Sequence, residues 1–563
     1  MMIPGARDTV VLIPAAGPAP EGVLALSNIG SPALIPAGGR PVIHWTLSYL
    51  LSQGFSRFII AVARRGGFLE DFVESAFGGR CEVGFITPSS QGGLGQTVLD
   101  LSMASTAKSA LVVLGDTYFR FRDEEHPWDH PFVLVSPVSE SYRWCVAEVG
   151  TTGEVLRLRD KEPGLEGPLR ALIGVYYFPD RVRLEECARQ TVDAANAGSA
   201  PAQMKGILDR VRETSSLRAI PSERWLDCGN PDGQAASHRA LLQSRAFNEL
   251  AVDTVAGTIT KRSKNASKLI DEINYQRLLP PELSVLFPRM TRFSVDWNAP
   301  FVEMEYYGYP SLSDVFVFEN VDAGVWERVF EHLFSIVTTR FMSIRCPLRP
   351  EAALAIYLDK TRDRLEKLTE PPELLALLHA APVIRLNGRP VPNLMDLLER
   401  LEPNIRHLAE NLEASVIHGD FCFSNILYDM RSRLCKLIDP RGSFGATGIY
   451  GDPRYDVAKL YHSVRGFYDF IVNDLFKVVT SPNAIDLTIR CRSWHLEVRD
   501  RFERIFFRRF EKEEIVLITG LLFASMLPLH FDGPERQLAM YGMALAFLTE
   551  ALTGQDVVGE LVR

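Results

Sequence analysis

Between residues 8 and 116, short apolar runs alternate with stretches of helical period, and few folds accommodate that alternation. "TVVLIPAA", "RFIIAVA", "EVGFITP" and "SALVVLGD" read as strands; "PVIHWTLSYLLSQG", "FLEDFVESAFGG" and "GLGQTVLDLSMAS" read as the helices between them. Strand–helix alternation of this kind predicts a mostly parallel sheet with helices on both faces. In such sheets ligands gather beyond the carboxyl ends of the strands. Gly17, in the turn after the first strand, and Asp116, after the fourth, both fall there.

A different pattern follows. "DGQAASHRALLQSRAFNEL" (232–250) reads as a helix and connector, then come the strand section "DTVAGTITKRS", the helix "SKLIDEINYQRLLP" and the strand "APFVEMEYY". From about residue 322 long helices dominate, interrupted only by residues 416–442. A small strand-rich lobe before a helical lobe is a kinase-like layout. A chain of 563 residues is too long for one core. The expected divisions are 1–240, 241–320 and 321–563.

Net charge is −9, which argues against a nucleic-acid partner, since such proteins present a basic face. The eight cysteines include no CxxC pair, so neither a zinc site nor a disulfide framework is expected, and a reducing cytoplasm is the natural compartment. The N-terminal apolar run lacks the basic start and length of a signal peptide. "IVLITGLLFASMLPLHF" (515–531) falls short of the roughly 20 residues that span a bilayer and reads as a buried helix. No membrane span is expected.

The segment "VIHGDFCFSNILYDMRSRLCKLIDPRG" (416–442) carries the densest chemistry. Phosphoryl transfer needs a group to orient or deprotonate the attacking hydroxyl, metal ligands, and a cation on the phosphates. Asp420 and Asn425 lie five residues apart between apolar flanks, and Asp439 follows the strand "CKLI" fourteen residues later. This spacing resembles the aminoglycoside phosphotransferase and choline kinase family, whose catalytic loop reads His-Gly-Asp-x4-Asn. The likeness continues into "GDPRYDVAKLYHS". It implies that Asp420 acts on the substrate hydroxyl, that Asn425 and Asp439 hold Mg2+, that His418 supports the loop, and that Asp456 buttresses it. Gly419, where protein kinases usually carry Arg, favours a small-molecule acceptor. Lys261, ending "TITK", with Glu272 in the next helix, is the expected pair for the ATP phosphates; Lys264 and Lys268 compete for that role. "VEMEYY" is the expected hinge for adenine. Phe421, Phe423, Tyr450 and Tyr455 flank the loop and raise the question of a cage for a choline-like cation, although aromatics pack cores more often.

Six stretches of the first half resemble sugar-phosphate nucleotidyltransferases and phosphocholine cytidylyltransferases: "VVLIPAAG", "LIPAGGRPVIHWTL", "GGLGQTVL", "VVLGDTYF", "RDKEP" followed by "LIGVYYFP", and "RWLDCGNPDG". The likeness implies a Rossmann-like, GT-A-like domain that uses CTP or another NTP. It places Gly17 and Gly93 at the nucleotide, Lys161 at the substrate phosphate, and Asp116 and Asp227 at a metal. One departure stands out. From Asp8 to Gly39 there is no Lys or Arg, Glu21 adds a negative charge, and Pro32 stands where the family has lysine. A charge-assisted contact is worth about 1.5–3 kcal/mol, so losing two removes several kcal/mol of hold on a leaving pyrophosphate. The domain could be active with cations from elsewhere such as Arg40, bind without turnover, or be structural.

The expected architecture is therefore α/β: a nucleotidyltransferase-like domain followed by a two-lobed, protein-kinase-like α+β domain. The implied activity is Mg2+- and ATP-dependent phosphorylation of a small alcohol, linked to activated precursors for a bacterial surface polysaccharide. An inactive, regulatory front half is the first alternative, and a non-enzymatic ligand sensor the second. A homo-oligomer is compatible with either.

Overall fold

The computed structural model describes residues 3, 5–18, 30–63, 67–90, 92–122, 126–198, 201–241, 248–410 and 412–562. Glu21 and residues 244–247 of the "SRAFNEL" stretch lie outside them. The chain divides into two compact units, Met1–Leu242 and Gln243–Arg563.

The first unit is built on a nine-stranded sheet. Glu82–Ile86, Arg57–Ala61, Thr9–Pro14 and Ser109–Val113 lie side by side in parallel. Thr9–Pro14 is buried along nearly its whole length, as expected of a central strand covered on both faces. The sheet is mixed, not mostly parallel. Leu169–Phe178 joins Ser109–Val113 antiparallel and pairs antiparallel with both Phe132–Val138 and Cys145–Val149. Local patterning carries the period of a strand but not its direction, so this half was not legible from alternation alone. The helices Leu94–Met103, Arg181–Gly198 and Met204–Thr214 supply residues such as Leu101, Leu184, Ile207 and Leu208 to a shared core with Leu12, Val112 and Val133.

The second unit opens with four antiparallel strands, Asn248–Asp253, Thr258–Ser263, Phe301–Glu305 and Met290–Ser294 in that spatial order. Leu269 and Ile273 of the Ala266–Leu278 helix pack onto Val302 and Met304 of this sheet. The helical part includes Ala323–Ser335, Leu394–Glu410, Pro453–Val464, Ser493–Phe506, Lys512–Met526 and Pro534–Thr553. It is not purely helical outside the catalytic segment. Val383–Leu386, Arg389–Pro392, Phe476–Ser481 and Ala484–Ile489 form a second four-stranded sheet. Its two later strands join through a Pro482–Asn483 turn, with Asn483 at φ 58°.

Among the described residues one helix, Lys512–His530, is long and apolar enough to cross a membrane, and 72% of its apolar window is buried in the fold. All eight cysteines are unpaired. The helical core also contains ionised groups. Arg465, 3% exposed, makes a bidentate pair with Glu550 (2.7 and 2.8 Å) and reaches Asp556 (2.9 Å). Removing one partner of such a pair strands the other in low dielectric. Arg465→Met is expected to destabilise the second unit by about 3–5 kcal/mol, measured by urea unfolding.

Candidate functional site

In the second unit the catalytic segment is held from below by one helix. Asp452 caps Pro453–Val464 by accepting from the Arg454 N–H. One turn in, Asp456 is fully buried and accepts two backbone N–H groups, from His418 (2.6 Å) and Gly419 (2.8 Å). Burial pushes its carboxyl up to about 7, against the pull of those two amides. Three residues on, Lys459 places its ammonium 2.9 Å from Asp420 Oδ1. Asn425 Nδ2 donates to the Asp420 backbone carbonyl (2.9 Å) and to Asp420 Oδ2 (3.1 Å). Both oxygens of Asp420 are thereby oriented. With its Nδ2 so committed, Asn425 keeps its Oδ1 as the atom available to a metal.

The chain then turns through the hairpin Ile426–Asp429 and Leu434–Leu437, which returns Asp439 to the same place. Asp439 has φ 57°, an uncommon conformation for a residue with a Cβ and one often found at functional sites. Its Oδ1 lies 2.8 Å from Lys261 Nζ, and Lys261 is 2.7 Å from Glu272 Oε2. Of the three competing lysines, Lys261 is buried, while Lys264 and Lys268 are exposed. Burial alone would lower the Lys261 ammonium, but Asp439 and Glu272 outweigh it and leave it raised. Tyr275, one turn beyond Glu272, donates its hydroxyl to the Ile417 carbonyl (2.9 Å), tying the Glu272 helix to the catalytic segment. At the expected hinge, the Tyr306 N–H donates to Gly257 (2.9 Å).

His418 is fully buried and lies parallel to the Phe287 ring, centroids 5.9 Å apart. Its Nδ1 accepts the Asp420 N–H (3.2 Å). The geometry is that of a loop support. Phe421, Phe423 and Tyr455 are buried, as core aromatics are. Sequence reading named Asp456 but passed over Lys459, although "DVAKL" places it three residues on, on the same helix face.

In the first unit, Asp116 lies just beyond the buried Ser109–Val113 strand. The neighbouring strand Thr117–Arg120 pairs antiparallel with Arg224–Asp227 in a register that sets Asp227 opposite Thr117. Two acids from distant sequence thus converge. A Cβ on Gly229 would lie 2.6 Å from Asp116 Oδ2 and 3.2 Å from Asp227 Oδ1, so only glycine fits between them. Asp227 also accepts from the Gly229 N–H (2.9 Å) and from Asn230. Burial and Asp227 push Asp116 up to about 6, and burial raises Asp227. Arg143 acts against that rise at Asp227. Two desolvated carboxylates placed side by side suit a dication.

The remaining predicted residues of this unit lie on other elements. Gly17 is exposed after the first strand. Gly93 begins the Leu94–Met103 helix, where its backbone packs on Ala202; this gives the "GGLGQ" stretch a packing reason as well as the expected nucleotide one. Lys161 is exposed, at φ 55°, with its N–H donating to Trp144 (2.9 Å). Arg40 is 9% exposed and has partners within the fold, so it is not a free cation for a triphosphate.

Among the described residues no group of three His, Cys, Asp or Glu side chains converges as a metal site. Each candidate site offers two protein ligands, which suits Mg2+, an ion that takes most of its remaining coordination from substrate phosphates and water.

Comparison with known families divides the chain as the geometry does. Residues 345–476 match the phosphotransferase enzyme family, and residues 23–244 match the nucleotidyl transferase family. The chain joins a nucleotidyl transferase domain to a phosphotransferase-family domain. Both are families of transferases. Among solved structures it is similar to HddC from Yersinia pseudotuberculosis, with 18% identity, 41% of this chain and 99% of that one covered, and a TM-score of 0.33. It is also similar to a putative glucose-1-phosphate thymidylyltransferase from Bacillus anthracis (17% identity, 42% and 96% covered, TM-score 0.36). A UDP-glucose pyrophosphorylase complexed with UDP-glucose gives 19% identity, 42% and 99% covered, and a TM-score of 0.35. No curated protein matches the chain.

The phosphotransferase domain places a neutral histidine under its catalytic segment, and this has a pH consequence. Burial lowers the His418 imidazole to about 4, against about 6.5 in an unfolded chain. Between those values the unfolded state binds the proton and the folded state does not. His418's contribution is therefore complete above pH 6.5 and is lost as pH falls through about 4, by up to about 3 kcal/mol. Urea unfolding at pH about 7 and about 4.5 should show a smaller pH dependence for His418→Gln than for the unaltered chain.

Proposed function

We propose that the second unit is an ATP-dependent kinase for a small hydroxylated compound. The observation that carries this is the double hold on Asp420: Lys459 and Asn425 fix its two oxygens at the end of a loop whose backbone is clamped by Asp456. A carboxylate so placed can orient a substrate hydroxyl toward a γ-phosphate and take its proton as the new P–O bond forms. Lys261, kept cationic by Glu272 and Asp439, is suited to the ATP phosphates. Asn425 and Asp439 are the residues that would hold Mg2+, which when bound neutralises phosphate oxygens. The free thiols and the ATP requirement agree with a reducing cytoplasm.

The first unit we read as handling the phosphorylated product as a nucleotide conjugate, with CTP or another NTP, in supply of a surface-polysaccharide precursor. What supports this is the Asp116–Asp227 pair, two acids that would hold Mg2+ and are present although the cations between Asp8 and Gly39 are missing. The second reading, a binding or regulatory module, is favoured by that same missing charge.

Incubation with Mg·ATP and a panel of alcohols, followed by mass spectrometry, should show phosphate on one of them. Asp420→Asn should lower kcat by about 10²–10⁴; full activity in that variant would remove the kinase assignment. With the phosphorylated product and CTP, UTP, GTP or dTTP, pyrophosphate release that Asp116→Asn abolishes is expected of an active first unit. No release with any NTP would leave the binding-module reading.

A further inference from the structure

Beside Asp420 the second unit gathers more positive charge than the kinase reading uses. Lys360 begins the Lys360–Glu366 helix, and Arg364 lies one turn on along the same face. Arg441 follows Asp439 by two residues and lies across Gly419: a Cβ on Gly419, which has φ 78°, would be 2.7 Å from Arg441 Cβ. Glycine in the catalytic loop is therefore what lets this arginine reach the site.

Lys360 and Arg441 converge on one atom. Arg441 Nη1 donates to the Tyr455 hydroxyl at 2.9 Å, and Lys360 Nζ lies 3.5 Å from the same oxygen. Both also stand over the Tyr455 ring, at 5.9 and 5.4 Å from its centroid. The charges acting on Lys360 are Arg441, Arg364 and Lys459, with Asp420 the one acid among them. Asp420 is already paired with Lys459. Among the described residues no carboxylate forms an ion pair with Lys360, Arg364 or Arg441, whereas Arg362, on the same helix, pairs with Glu402. Burial and its cationic neighbours hold Lys360 well below the usual lysine range. Arg364 donates to the Ser525 carbonyl (2.8 Å), and Lys360 and Arg441 share a neutral phenol, so among the described residues this cluster of partly buried basic groups lacks a counter-anion.

We propose that the acceptor of the kinase is an alcohol that also bears an anionic group, a carboxylate or a phosphate, held by Lys360 and Arg441 while Asp420 addresses its hydroxyl. This rests on the kinase reading and narrows it. A choline-like or aminoglycoside acceptor is disfavoured twice. Like charges meet it beside the catalytic acid, and the Tyr455 face that could receive a cation is covered by the protein's own.

The test is a Mg·ATP panel on the full chain with matched alcohols: neutral sugars, sugar acids, sugar monophosphates, and the amino alcohols choline and ethanolamine. The expected result is phosphorylation of a carboxylate- or phosphate-bearing member, with kcat/KM at least tenfold above its neutral counterpart. The two anionic arms tell which group is read. Lys360→Met should raise the acceptor KM tenfold or more while the ATP KM moves less than twofold, and Lys360→Arg should restore it. A neutral or amino alcohol as the best acceptor would overturn the inference and leave the kinase standing. So would a Lys360→Met effect confined to the ATP KM, which would assign the cations to the triphosphate. Phosphorylation of no panel member would strike down the kinase reading and this inference with it.

Discussion

The carboxylate of Asp456 is the point on which the second unit's site depends. It is buried, among the described residues forms no ion pair, and spends both oxygens on main-chain N–H groups of His418 and Gly419. Those donors would otherwise be left unsatisfied in the interior, at about 1–3 kcal/mol each. The same helix delivers Lys459 to Asp420 three residues later. One rigid element thus sets both the path of the catalytic loop and the orientation of its acid. Tyr275 holds the loop from the other side through the Ile417 carbonyl, so the helix that carries Glu272 is registered against the same backbone. Preorganisation of this kind matters because phosphoryl transfer asks little covalent chemistry of a protein and much positioning.

Much of this was legible in the sequence, for a physical reason. Asp420, Asn425 and Asp439 belong to one continuous segment whose hairpin brings the chain back on itself, so spacing alone predicts their meeting. Lys261 and Glu272 are likewise on a strand and the helix after it, although the strand runs on to Ser263 and does not end at Lys261. Lys360 and Arg441 were not legible as partners, since they meet over Tyr455 only in the folded chain, and each reads locally as an ordinary surface cation. Asp116 and Asp227 were found through resemblance; their convergence comes from the register of Thr117–Arg120 on Arg224–Asp227, which no local pattern encodes. The second sheet of the helical part was missed although one strand of it is legible. Ala484–Ile489 alternates, with Ile485, Leu487 and Ile489 buried between Ala484, Asp486 and Thr488; its partner Phe476–Ser481 buries only Phe476, and Val383–Leu386 and Arg389–Pro392 have four residues each.

The two units treat charge in opposite ways. The first places two acids against one another around Gly229, with no basic residue in the loop that follows its first strand. The second gathers lysines and arginines near Asp420 beyond the Lys459 that pairs with it. An anion-rich ligand meets two carboxylates in the first site, with Arg143 acting on Asp227 beside them, and a cluster of basic side chains in the second.

That contrast bears on how a fusion of this kind could work. If the second unit's acceptor is already anionic, its phosphorylated product carries still more negative charge. The product would then depend on Asp116 and Asp227 holding Mg2+, which would supply the positive charge that the first unit's loop lacks. The metal, not a basic loop, would become the discriminating element of the first site. On this account the missing lysine and arginine between Asp8 and Gly39 need not signal decay. A ligand that brings several phosphate oxygens to one dication can forgo side-chain cations, at the cost of binding only when the metal is present.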